Sequence, residues 1–182
     1  MTERKVKLDR ANKSILLRAL GDVYYGQRAN GGSTVSNCRN SGDISANKEG
    51  NSITGGIVGD NYGAISRCNN TGAVSADGAT GGVAGQNVCS QSGPNSIVEN
   101  CYNTGAVSGS GDVGGVVGHN NSSVSHTAIV RSSYNTGTVT GGSRTGGVVG
   151  YIESGVVENC YNTGDVTGSV DGSDAGGVVG RI

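Results

Sequence analysis

The stretch Val156-Val157-Glu158-Asn159-Cys160-Tyr161-Asn162-Thr163-Gly164-Asp165-Val166-Thr167-Gly168, followed by Gly176-Gly177-Val178-Val179-Gly180, is the last of five copies of one phrase. Aligned on the glycine that follows Asn-Ser/Thr, the copies fall at Gly42, Gly72, Gly105, Gly137 and Gly164, spaced by 30, 33, 32 and 27 residues. A period of this length marks a solenoid, in which no unit folds alone and each buries its apolar side chains against its neighbours. The expected fold is all-β: a right-handed parallel β-solenoid (β-helix) of about five three-strand coils over residues 30–182. The strands fall at the run before the cysteine position, at Ala/Asp/Thr-Val/Ile-Ser/Thr, and at Gly-Gly-Val-Val-Gly. Successive repeats run in the same chain direction, so the coils pair in parallel about 4.8 Å apart.

Composition agrees with a repeat and not with an ordinary globular core. Glycine accounts for 35 of 182 residues, and there is neither Trp nor Phe. The apolar residues hold a fixed phase instead. Val35, Ile65, Val98, Val130 and Val157 form one column; Ile44, Val74, Val107, Val139 and Val166 a second; Val58, Ala84, Val117, Val149 and Val179 a third. These are the expected core. Between them Asn40, Asn70, Asn103, Asn135 and Asn162 make an unbroken column. A side-chain amide carries donors and an acceptor, so stacked asparagines can bond to one another and to turn backbone. The glycine two residues later is expected to supply a positive φ at the corner. Cys38, Cys68, Cys101 and Cys160 share a column with Ser133, which reads as small buried thiols and not as a disulfide framework.

Residues 1–29 differ in kind. They hold seven Lys/Arg against three Asp/Glu, while the rest of the chain holds six against eleven. Asp9 as N-cap, the spacing of Ala11, Ile15, Ala19 and Leu20, and Gly21 after them predict a short helix, Arg10–Leu20. With a half-coil at Gly21–Gly26, this segment is expected to cap the N-terminal end of the solenoid; a membrane-surface helix is the alternative. The acidic body lacks the clustered Lys/Arg of a nucleic-acid binder. No run of about 20 apolar residues exists to span a bilayer as a helix, and no signal peptide is recognisable.

Several chemical motifs fail on context. Gly109-Ser110-Gly111-Asp112-Val113-Gly114 has the dinucleotide spacing but sits between two strands, with no helix to follow. Cys89, His119 and His126 lack the short ligand spacing of a metal site, and Glu99 and Glu158 stand two coils apart. Asp171-Gly172-Ser173-Asp174 is half of a calcium loop without its terminal Glu. Thr71, Thr104, Thr136 and Thr163 align, without the paired Thr-x-Thr of an ice-binding face. No cofactor, bound metal or catalytic residue is expected. The candidate binding residues are Tyr102, Tyr134 and Tyr161, which form an aromatic column, together with His119 and His126 in the longer connections Gln86–Ser96 and His119–Ala128. The outer face of the last coil is expected to be occupied, by a second copy of the chain through self-association, by the cap of a following subunit, or by further repeats of a longer parent protein.

The phrase Glu158–Gly168 with Gly176–Gly180 resembles the GLUG motif, and its five copies run from Thr34 to the C-terminus. GLUG repeats occur in large bacterial surface proteins, including adhesin-like proteins and non-catalytic parts of immunoglobulin A-cleaving metallopeptidases. The resemblance implies an extracellular or cell-surface structural or adhesive module that contacts protein or glycan. The metallopeptidase His-Glu-x-x-His is absent from this sequence. A filament subunit that stacks end to end is the alternative reading.

Overall fold

A computed structural model describes residues 33–46, 52–91, 93–169 and 172–182; the expected helix and half-coil lie outside them. Among the described residues there is no helix. The chain forms five parallel five-stranded sheets, each built from one strand per repeat, so that five coils are stacked in four steps. In the fourth coil the strands are Ala128–Arg131, Tyr134–Asn135, Val139–Gly141, Arg144–Gly146 and Val149–Ile152, and we number the five sheets in that order.

The parallel solenoid is as expected, but each coil has five strands and not three. The Tyr-Asn strand is two residues long, and the Gly-Gly-Val-Val-Gly run divides, its first glycine closing sheet four and its second valine opening sheet five. Segments this short carry no strand signal of their own. They pair because register holds them against their equivalents, as Tyr102 against Tyr134 and Asn103 against Asn135.

Two apolar clusters fill the coil. The larger joins Ile65, Val98 and Val130 of sheet one to Val83, Val116, Val148 and to Val117 and Val149 of sheet five, with Cys68 and Cys101 at its corner. The smaller joins Val74, Val107 and Val139 of sheet three to Val113 of sheet four.

Glycine matters here for close approach. A Cβ on Gly105 would overlap the carbonyl oxygen of Gly72 in the preceding coil, and Gly137 and Gly164 stand in the same relation to their predecessors. This corrects the expected positive φ, which none of these three glycines has. The left-handed corner lies just before the cysteine column, at Asn37, Arg67, Asn100, Ser132 and Asn159, with φ of 54°, 52°, 52°, 48° and 53°. Asparagine, which holds three of these positions, tolerates this region better than most residues with a Cβ. The motif Gly-Gly-Val-Val-Gly has the same logic as Gly105. Its last glycine packs backbone on backbone, a Cβ on Gly118 falling 2.6 Å from the Thr80 nitrogen, and its second glycine, as at Gly82, would overlap the Asn103 side chain of the next coil. The two repeated signatures are thus halves of one contact.

Candidate functional site

The asparagine column is a continuous hydrogen-bonded ladder. Asn40, Asn70, Asn103 and Asn135 each donate Nδ2 to Oδ1 of the asparagine in the following coil, at 2.7, 2.8, 2.8 and 2.8 Å. The second amide proton goes to the carbonyl of the turn glycine at 2.7 Å, as Asn103 to Gly105. Asn70, Asn103 and Asn135 are fully buried. A second ladder, not recognised in the sequence, runs Asn61–Asn87–Asn120 at 2.7 and 2.8 Å and stops at Ile152, which occupies its place in coil four. The signal was present as Asn-x-Gly and Gln/His-Asn at the end of sheet five, but the insertions that follow it obscure the alignment.

The thiol column stacks as well. The backbone N–H groups of Cys38 and Cys68 donate to the Sγ of the next coil at 3.4 Å, and that of Cys101 to Ser133 Oγ at 3.1 Å. All five cysteines are free. The hydrogen bond between Cys68 and Cys101, then burial, push the Cys68 thiol up, and burial does the same to Cys38 and Cys160. Thiolate is the reactive form, and at these three sites the upward shift disfavours it.

On the outer surface Tyr102, Tyr134 and Tyr161 form a parallel stack, with centroids 5.1 and 4.9 Å apart and planes within 5° and 4°. Both faces of Tyr134 are therefore occupied by its neighbours. What the column offers laterally is a row of ring edges and hydroxyls, and Tyr161, 52 % exposed, also keeps an open outer face. Desolvation, then the flanking phenols of Tyr161 and Tyr102, push the Tyr134 hydroxyl above its ordinary value.

The longer connections are shorter than expected, because strands take their ends. Sheet five includes Ala84–Val88 and Val117–Asn121, pairing Gln86 with His119, which leaves 89–95 and 122–127 as loops. Each loop is tied at its base: Ser96 N–H donates to the buried Cys89 Sγ at 3.3 Å, and Ala128 N–H to Ser122 Oγ at 2.9 Å. The loops also bond to each other, Thr127 N–H to Asn95 Oδ1 at 2.9 Å. Val124 projects from the second, 97 % exposed, and His126 lies half-buried beside it.

His119 belongs instead to a polar cluster on sheets four and five. Its Nδ1 is 3.9 Å from Asp112 Oδ2, its Nε2 3.3 Å from Glu153 Oε2, and its ring lies 5.0 Å from that of Tyr151. Arg144 pairs with Asp112 and covers Tyr151 at 3.9 Å, while Asn121 Nδ2 bonds Glu153 at 2.7 Å. On sheet one Arg131 fills the gap between Glu99 and Glu158, bonding Glu99 at 2.7 and 2.9 Å. These pairings were invisible in the sequence because their columns change residue type from coil to coil. They cross-link coils by mutual neutralisation. Among the described residues no group of three or more His, Cys, Asp or Glu side chains could hold a metal ion. The structure thus keeps His119 and His126 apart in role and brings the three tyrosines together.

The fold and its internal ladders define a parallel β-solenoid repeat module. Residues 141–167, spanning the end of coil four and the start of coil five, match the family described as the GLUG motif. The chain therefore carries a GLUG repeat, and the first three coils present the same columns in register. No curated protein and no solved structure matches the chain.

Proposed function

We propose that this structural repeat is a non-catalytic adhesive module of a bacterial surface or extracellular protein, contacting protein or glycan through its lateral face. The carrying observation is that stacking absorbs most of the repeated residues: the asparagines, the turn glycines, the buried thiols and the valine columns all bond or pack to the coils above and below. Chemistry toward a partner is left to the side chains that point away from the core. Foremost are the Tyr102–Tyr134–Tyr161 edge and the two stacked loops with exposed Val124. A phenol edge combines an apolar rim with a hydroxyl, which suits a sugar hydroxyl or a polar protein surface. Because the ring faces of Tyr134 are taken, the reading calls for lateral hydrogen bonding and not for stacking of a sugar on the column.

Screening against glycan and host-protein arrays tests it. Replacing Tyr134 and Tyr161 by Ser, or shortening loops 89–95 and 122–127, is expected to lower binding to any captured ligand at least tenfold while circular dichroism stays native. Undiminished binding by both variants would contradict the assignment of this face.

A further inference from the structure

At the corner between sheets one and two, three successive coils carry Cys38, Cys68 and Cys101. The position does not itself demand sulfur, since Ser133 fills it in coil four and receives the Cys101 N–H as Cys101 receives that of Cys68. Cys68 and Cys101 lie in coils two and three, are both fully buried, and share a hydrogen bond between their sulfurs. Each side chain points the same way, toward the carbonyl two residues earlier, Ser66 at 3.3 Å and Glu99 at 3.1 Å. The flanking residues pair in register, Glu99 with Ser66 and Tyr102 with Asn69. One sulfur therefore stands over the other at the coil step, about 4.8 Å.

That step suits one kind of ion. Two metal–thiolate bonds of about 2.3 Å each, laid end to end, span about 4.6 Å. Zinc asks for four ligands, and the column supplies no group of three. Copper(I) is soft, favours sulfur, and accepts two thiolates in a line. Charge on the sulfurs is also provided for. The backbone N–H groups of Cys38 and Cys68 already aim at the sulfurs of Cys68 and Cys101, both at 3.4 Å, and such bonds strengthen when the acceptor is ionised.

We propose that Cys68 and Cys101 form a buried, linear site for one copper(I) ion that bridges coils two and three. Two thiols and one copper(I) give a bis-thiolate with one negative charge; both thiol protons leave to solvent, and no oxidation state changes. Loading gives up only weak S–H contacts to the Ser66 and Glu99 carbonyls. Cys160 has no such partner, because Ser133 stands between it and Cys101. The inference stands apart from the adhesive reading, since it uses the interior of the solenoid and not its lateral face.

The test loads the full, reduced chain with copper(I) under anaerobic conditions, both after folding and during refolding, and then challenges it with a competing copper(I) chelator. One ion per chain should be retained, X-ray absorption should show two sulfur neighbours and no nitrogen or oxygen, and the thermal midpoint should rise. Cys68→Ser and Cys101→Ser should keep native circular dichroism, as Ser133 does in its own coil. Each should weaken binding by about a hundredfold or more, whereas Cys38→Ser, Cys89→Ser and Cys160→Ser should stay within about threefold of the parent. No ion retained by either loading route, a nitrogen or oxygen ligand on the metal, binding that survives Cys68→Ser or Cys101→Ser, or binding lost in Cys38→Ser, Cys89→Ser or Cys160→Ser would each overturn the proposal.

Discussion

Gly147 and Gly177 occupy the same column one coil apart, yet the first is walled in by backbone and the Asn162 amide while the second has open space around it. Nothing in the local phrase distinguishes them, since Gly-Gly-Val-Val-Gly is identical in both. The difference is the presence of a following coil. In this protein the constraint on a residue resides in the step between coils, which is why stability in a solenoid behaves as a sum of neighbour interfaces.

The largest contrast should come from glycine. Gly115→Ala in coil three places a methyl against the Gly147 oxygen and the Asn135 side chain, so we expect a loss of about 3 kcal/mol or more. Gly177→Ala should stay within about 0.5 kcal/mol of the parent. Denaturant melts of the pair would break the comparison if both behaved alike.

Next in size is the ladder. Asn103 bonds Gly105 and Asn135 and accepts from Asn70, whereas among the described residues Asn162 bonds only Asn135 and Gly164. Asn103→Ala should cost on the order of 1–3 kcal/mol through unsatisfied turn groups, and Asn162→Ala about half as much. Equal losses would show that the inner bonds contribute nothing extra.

The tyrosine stack sharpens the contrast through pH. The folded-state pKa of Tyr134 lies above its ordinary value of 10.0 because burial and two phenol neighbours disfavour the phenolate. A raised pKa means that this contribution is complete below the unfolded value and is lost as pH rises through the folded one. Stability of the parent should therefore fall above about pH 10, and Tyr134→Phe should shrink that fall in a pH series of melts.

The smallest effect concerns the left-handed corner. Ser132 holds φ 48° where three other coils place asparagine, so Ser132→Asn should stabilise by roughly 0.5 kcal/mol. A melt unchanged or lowered would show that this corner stores no strain.

The solenoid, its core columns and the first asparagine column were legible because each recurs at every repeat. Chain-local rules carried less far. Two-residue Tyr-Asn strands have no periodicity to detect, so the strand count came out low. The sequence shows the glycine and not its neighbour, so it suggests a torsional role; the contact that demands Gly105 is made by Gly72, 33 residues earlier. His119 looked like a loop residue because Gln86 and His119 share no chemistry, although they share a register. The Asp112–Arg144–Tyr151 cluster has no repeat at all and exists only once the coils are superposed.

Native-state hydrogen exchange tests the central claim most directly. The side-chain amides of Asn70, Asn103 and Asn135 and the backbone N–H groups of Thr104 and Thr136, bonded to the preceding coil at 3.0 and 2.9 Å, should exchange only with global unfolding. The amides of Asn40 and Asn162 should exchange faster through local opening of the end coils. Uniform exchange along the asparagine column, with the inner amides as labile as the outer, would contradict the account.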